Sequence, residues 1–242
     1  MRLVWLCVVL CGGCLDFDGL PGLYQPAADG GLCPAGAGGI TRQGATSTPT
    51  MGSLTSLTLD EPSGLQPCDL LVMVVYLDQT TSVTDPSGWT RIDRQMDVPN
   101  SWEARFYYHV VVDPLAEPTI ATITYSQANL ASGVMAAYRG ANVQHVLDGM
   151  AGGCNDPGPY ALPAITTTIA NDRVLVMCAS DDATGVSVTW TAPAGMSEPS
   201  GSARVALFEA TQASSGVTPA RSVDNTDSGH GICCEQLALS PR

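Results

Sequence analysis

Lysine is absent from all 242 residues, and each of the ten basic side chains is an arginine. Against 23 acidic residues this leaves a formal net charge of −13. That balance argues against nucleic acid as a partner, because phosphate binding needs clustered positive charge. Aromatic residues make up 6% of the chain, so a core must be filled by aliphatic side chains and stacking platforms are scarce. Beyond the first residues, no apolar run approaches the roughly 20 residues that a membrane-spanning helix needs. GxSxG, HExxH and phosphate-binding loop patterns are all missing, and with them the local signatures of several large enzyme classes. No stretch holds helical spacing over three turns.

What is present begins with MRLVWLCVVLCGGC, where Arg2 precedes an apolar run from Leu3 to Leu10, then small residues and a cysteine. That order describes a secretory signal. Leu10-Cys11-Gly12-Gly13-Cys14 is similar to a bacterial lipobox, departing from it by Cys11 at the third position before the cut, where leucine is usual. The similarity implies a signal peptide over residues 1–13 and a lipid on Cys14. It also implies a membrane partner held through that lipid, at the outer membrane or surface of a bacterial cell. The alternative is an ordinary signal, with Cys14 left as a thiol and the protein secreted or periplasmic. Residues 14–52 are rich in Gly, Pro and Ala without periodicity, which predicts a flexible tether.

From residue 53 onward, short runs rich in Val, Ile, Thr and aromatics alternate with turn residues about every ten positions, the pattern of a β-sandwich or barrel. Strands are predicted at 53–59, 69–77, 89–96, 103–112, 119–125, 132–139, 163–169, 172–179, 186–191, 203–211, 219–223 and 232–239. Much of this occurs twice. CDLLVMVVYL pairs with DRVLVMCAS, DPSGWT with APAGMS, EARFYYHVVV with SARVALFEAT, and SGVMAAYRG with CCEQLALSP. Ordered self-similarity predicts pseudo-repeats over about 66–140 and 170–241. The fold class expected is all-β: a two-sheet antiparallel sandwich, jelly-roll-like, built by internal duplication.

Asp69–Val72, Asp85–Trp89, Ala137–Gly140, Pro193–Met196 and Gln236–Leu239 together resemble a domain common in secreted bacterial and phage-associated surface proteins. The resemblance covers nearly all of residues 53–240 and implies a jelly-roll-like accessory module. It brings no catalytic residues. The cysteines depart from that pattern.

With Cys7 and Cys11 in the signal and Cys14 acylated, six cysteines remain: Cys33, Cys68, Cys154, Cys178, Cys233 and Cys234. An even set in an exported chain predicts three disulfides. Cys178 stands where the first repeat has Val75, and Cys233 and Cys234 where it has Ser132 and Gly133. A bridge from Cys178 to Cys233 or Cys234 is therefore expected, with Cys33 pinning the tether to the domain. Zinc at His230, Cys233 and Cys234 is the competing reading. Adjacent strand residues point to opposite faces, which disfavours shared ligation.

Asp181, Asp182, Asp224 and Asp227 sit in loops and are weak calcium candidates, against the plain reading of solvated turns. His109 and His145 have surface or packing roles by default. Asp93, Asp97 and Glu103 are available acids, but nothing pairs them. Trp102 and Tyr160 lie at predicted loop edges and are weak candidates for sugar binding, whereas Trp89 and Trp190 suit the core. No cofactor is implied. The expectation is a non-catalytic exported surface lipoprotein that binds a surface protein or glycan through its loops. The alternatives are a carbohydrate-binding protein or glycan-acting enzyme, and a structural subunit of a surface assembly. Mass spectrometry of membrane-purified protein is expected to find no residue before Cys14 and added acyl mass on it; an unmodified, soluble Cys14 would refute the anchor.

Overall fold

A computed structural model describes residues 33, 39–78, 82–97, 101–155, 159–181, 188–202, 204–226 and 231–242. Among them every regular element is a strand. The first half of the chain supplies β1 (Thr41–Asp60), β2 (Leu70–Leu77), β3 (Val83–Thr84), β4 (Thr90–Asp97), β5 (Trp102–Val110) and β6 (Ile120–Arg139). The second supplies β7 (Leu147–Asn155), β8 (Tyr160–Leu162), β9 (Thr166–Thr167), β10 (Asp172–Ser180) and β11 (Trp190–Thr191), followed by β12 (Ser197–Gly201), β13 (Val205–Gln212), β14 (Gly216–Val217), β15 (Arg221–Asn225) and β16 (Ile232–Leu239).

Two antiparallel sheets face each other. One runs β1-β6-β2-β5-β4 and the other β12-β13-β10-β16-β7. Each comes from one half of the chain, and the two orders correspond strand for strand, with β7, β16, β10, β13 and β12 standing for β1, β6, β2, β5 and β4. Details repeat as well. Cys68 and Asn171 both take positive φ (70° and 66°) immediately before the central strands. Their amides donate to Val111 O and Gln212 O at 2.7 and 2.8 Å. Gly88 and Gly195 close the two proline turns at φ 81° and 78°, a left-handed conformation that glycine adopts without penalty.

β2 and β16 are buried at every position, although a strand shows alternate residues to opposite faces. The reason is a second layer outside each main sheet. Leu70, Val72, Val74 and Tyr76 point inward and pack with Leu175, Met177, Leu207 and Leu237 of the facing sheet. Leu71, Met73, Val75 and Leu77 point outward and are covered by Leu57, Leu59, Ala121 and Ile123. The cover is made by the β1–β6 ribbon doubling back over its own sheet: Thr46 Oγ1 donates to Asp60 O at 2.5 Å and Thr48 Oγ1 to Thr58 O at 2.9 Å. Gly133 permits this approach, since a Cβ there would lie 2.7 Å from the Leu59 side chain. In the second half the outer layer is β11-β15-β8, whose Tyr160, Leu162, Trp190 and Val223 cover Val176, Cys178, Phe208 and Cys234.

Three disulfides fix the frame: Cys33–Cys68, Cys154–Cys233 and Cys178–Cys234. The last two join residues directly opposite each other across neighbouring strands, Cys233 to β7 and Cys234 to β10. Cys233 lies in the inter-sheet core and Cys234 beneath the outer layer, as opposite faces of one strand require.

Of the tether expected over residues 14–52, residues 14–32 and 34–38 lie outside the described residues, and residues 41–52 belong to β1, which begins at Thr41. Its first part, TRQGATST, has no apolar alternation to announce a strand; it is an edge strand held by backbone pairing to β6. Residues 119–125 and 132–139 are one strand, β6, and 163–169 carries only the two-residue β9. β7 was not foreseen, since LDGMAGGCN lacks β-branched residues, and neither was β12, SEPSG. Peptide mapping without reduction should recover the three pairs. Removing Cys178–Cys234 as the double alanine variant should lower the unfolding free energy by up to about 4 kcal/mol, the chain-entropy figure for a loop of this length, read by denaturant titration.

Candidate functional site

Strands β2, β4, β10 and β15 all terminate at one end of the sandwich, where Leu77 pairs with Glu103 and Ala131, and Ala179 with Val205 and Cys233; the segments that follow them, residues 79–81, 98–100, 182–187 and 227–230, lie outside the described residues. The floor of that end is a polar cluster joining the two sheets. Arg204 Nη1 donates to Tyr76 Oη at 2.8 Å and to Asp181 Oδ1 at 3.0 Å. The phenol lies 2.9 Å from Asp181 Oδ1 and 3.0 Å from Asp78 Oδ1. The guanidinium carbon stands 4.8 Å from the centre of the Tyr76 ring, at cation–π distance. Burial first, then the two carboxylates, push the Tyr76 phenol well above its ordinary value, with Arg204 opposing them. This arrangement is a lock between sheets.

Trp102 belongs to this floor and not to an exposed loop edge. It is 0% exposed, its Nε1 donates to Asp97 Oδ2 at 2.9 Å, and its ring lies 5.4 Å from that of Tyr76. The preceding Pro-Asn-Ser suggested a surface position, but Ser101 takes φ 58° and β5 starts at once, turning the indole inward. Tyr160 is likewise buried (7% exposed), packed with Val176, Cys178 and Trp190 under the outer layer. Neither aromatic can stack on a sugar from these positions. Trp190 is in the core, and Trp89 packs partly buried against the outer cluster of the first half. His109 is held between Gly88 O at 2.8 Å and Glu117 at 2.9 Å, while His145 is exposed.

Of the calcium candidates, Asp181 is committed to Tyr76 and Arg204, and Asp224 Oδ1 accepts from the Asn225 amide at 2.9 Å. Asp182 and Asp227, like Cys14 and His230, lie outside the described residues. No group of three His, Cys, Asp or Glu side chains able to hold a metal occurs among the described residues.

The structure does bring carboxyl groups together. Glu235, fully buried on the inward face of β16, shares a hydrogen bond with Asp93 of the facing sheet, and Gln95 Nε2 lies 3.4 Å from its Oε2. Gly152, directly across from it on β7, makes room, since a Cβ there would collide with the Glu235 carboxylate. Burial, then the Asp93 charge, raises Glu235 to about 8. Glu235 therefore keeps its proton at neutral pH. Carboxyls that cleave glycosides stand about 5 to 9 Å apart around their substrate; these two touch, inside the sandwich. Glu103 is enclosed by Arg94 at 2.5 Å and Arg105 at 2.7 Å, and Asp97 is taken by Trp102.

A second pair sits where the strand orders of the two halves correspond. Asp69, at the start of β2, is met by Arg139 at 2.8 and 2.7 Å. Its equivalent Asp172 is buried at the start of β10, but the position equivalent to Arg139 is Ser240, so no guanidinium reaches it. Burial, then a hydrogen bond to Asp148, raises Asp172 to about 7. Burial opposes the charge of Asp148 as well, but donors from Thr168 and Ile169 outweigh it and hold Asp148 below its usual range. Glu235 had a visible signal in the sequence, an acid inside an apolar strand. Asp172, Arg204 and Tyr76 had one only once the halves were compared.

Against this geometry, the chain was compared with known proteins. It matches no family model, no curated protein and no solved structure.

The raised carboxyls set a direction for pH. A carboxyl whose folded value lies above its unfolded value binds its proton more tightly in the native state, so its stabilisation is complete in acid and is lost as pH rises through the folded value. For Glu235 (about 8), Asp172 (about 7) and Glu61, raised by burial to about 7, the window runs from the ordinary carboxylate range to about pH 8. Denaturant titrations should show stability falling by on the order of 2 kcal/mol or more between pH 5 and pH 9. Glu235→Gln should flatten that slope and stabilise the protein at pH 9. An unchanged slope in the variant would contradict the raised value of Glu235.

Proposed function

We propose that the protein is a non-catalytic exported surface lipoprotein, a rigid module that presents the loops at one end of its sandwich to a partner protein outside the cell. The observation that carries this reading is the inter-sheet lock of Tyr76, Asp181 and Arg204 at the end of the sandwich where β2, β4, β10 and β15 terminate. Binding surfaces are commonly loops positioned by a rigid scaffold, and here the scaffold is tied across both sheets where the loops begin. Three disulfides are compatible with an oxidising compartment. The signal-like start and Cys14 support a lipid anchor, and the shared strand order of the halves supports an origin by duplication.

The carbohydrate-binding reading loses its two aromatic candidates, Trp102 and Tyr160, to the interior. A glycan array probed with the full-length protein is expected to give no hit that soluble sugar competes away. A competable hit would transfer the function to the carbohydrate class, and ordered oligomers in light scattering would transfer it to a surface assembly.

A further inference from the structure

The end of the sandwich opposite the loops has its own character. It is where β2 begins at Leu70, β5 ends at Val110, β6 ends at Arg139 and β13 ends at Gln212. The connection following β5 carries Val112 (57% exposed) and Leu115 (97% exposed). The equivalent connection following β13 carries Val217 (65% exposed), 102 residues after Leu115, just as Gln212 follows Val110 by 102. Each half thus offers an apolar side chain to solvent after its β5 or β13 strand, Leu115 in the turn opened by Asp113 and Val217 in β14, paired to β9. Large apolar side chains exposed at such tips are unfavourable in water and suit an apolar contact.

The chain itself says which contact. Cys68 lies at this end, its amide donating to Val111 O at 2.7 Å beside the first apolar tip, and its sulfur bonded to Cys33. Eighteen residues lie between Cys14 and Cys33, and a random-coil chain of that length would have a root-mean-square span of only about 25 Å. A lipid on Cys14 would hold this end close to the bilayer and raise the effective concentration of the tips there.

The acidic side chains of this end do not oppose the approach as strongly as their number suggests. Asp69 is paired with Arg139, Asp85 with Arg91 and Arg105, and Glu117 with His109. Asp113 accepts the Leu115 amide at 3.0 Å. We propose that this end is the membrane-facing surface of the protein, with Leu115 and Val217 seated in the lipid interface and the loop end directed outward. The inference rests on the lipid-anchor reading of Cys14 and adds the orientation to it.

The test uses the full-length protein purified from membranes, with acyl mass on Cys14 measured in the same sample, reconstituted in phosphatidylcholine vesicles. An environment-sensitive fluorophore is placed on Leu115→Cys, Val217→Cys or, at the opposite end, Thr226→Cys. The expected result is a shift to shorter wavelength and quenching by spin-labelled lipid at 115 and 217, with neither at 226. Equal responses at all three positions, a response at 226 alone, or none on an acylated chain would overturn the orientation while leaving the anchor intact. If Cys14 carries no acyl group the anchor reading fails. The same labels are then read on the soluble chain mixed with vesicles, where a response confined to 115 and 217 supports the lipid-seeking surface and its absence overturns it.

Discussion

The structure depends on covering both faces of the strands at the middle of each sheet. β2 and β16 are apolar on both sides, so a simple two-sheet sandwich would leave one apolar face of each sheet in water. The chain meets this constraint in two ways. In the first half one long ribbon, β1 with β6, doubles over its own sheet. In the second, shorter strands, β8, β11 and β15, perform the same task. The result has four layers, and Gly133 and the proline turns follow from the need to bring those layers close.

Several acidic groups inside this body are met by a partner. Glu103 meets two arginines, Asp69 meets Arg139, and Tyr76 is shared by Arg204 and Asp181. Where the second half lacks a guanidinium, Asp172 keeps a proton and leans on Asp148. The two halves thus meet the same backbone position with different electrostatics, an arginine in one and a neighbouring carboxyl in the other.

The apolar runs of β2 and β10, the proline–glycine turns and the bridge at Cys178 were legible in the sequence because each is a local pattern: a periodicity, a turn dipeptide, or a cysteine where the other repeat has valine. β7 and the first part of β1 were not, since edge strands of glycine, threonine and serine take their conformation from neighbours contributed by distant residues. The failure at Trp102 has the same cause. Whether an indole after a turn points inward depends on where the next strand starts, and that is settled by a single left-handed serine. The Asp93–Glu235 contact joins residues 142 positions apart, on different sheets, and no local signal carries such a pairing.

The disulfide connectivity has a consequence for how the chain is made. Cys33 and Cys68 are partners and neighbours in order of synthesis, so they can join as soon as the first half meets an oxidant. Cys154 and Cys178 emerge next, and neither is the other's partner; both must wait for Cys233 and Cys234, nine residues from the C-terminus. An oxidant that joins cysteines in the order they appear would tie Cys154 to Cys178 and hold β10 away from the strand that completes its sheet. Correct assembly of the second half therefore requires either oxidation delayed until the whole chain has crossed or an isomerase that undoes the premature bond. The two halves of this molecule, alike in architecture, differ in what they ask of the compartment that receives them.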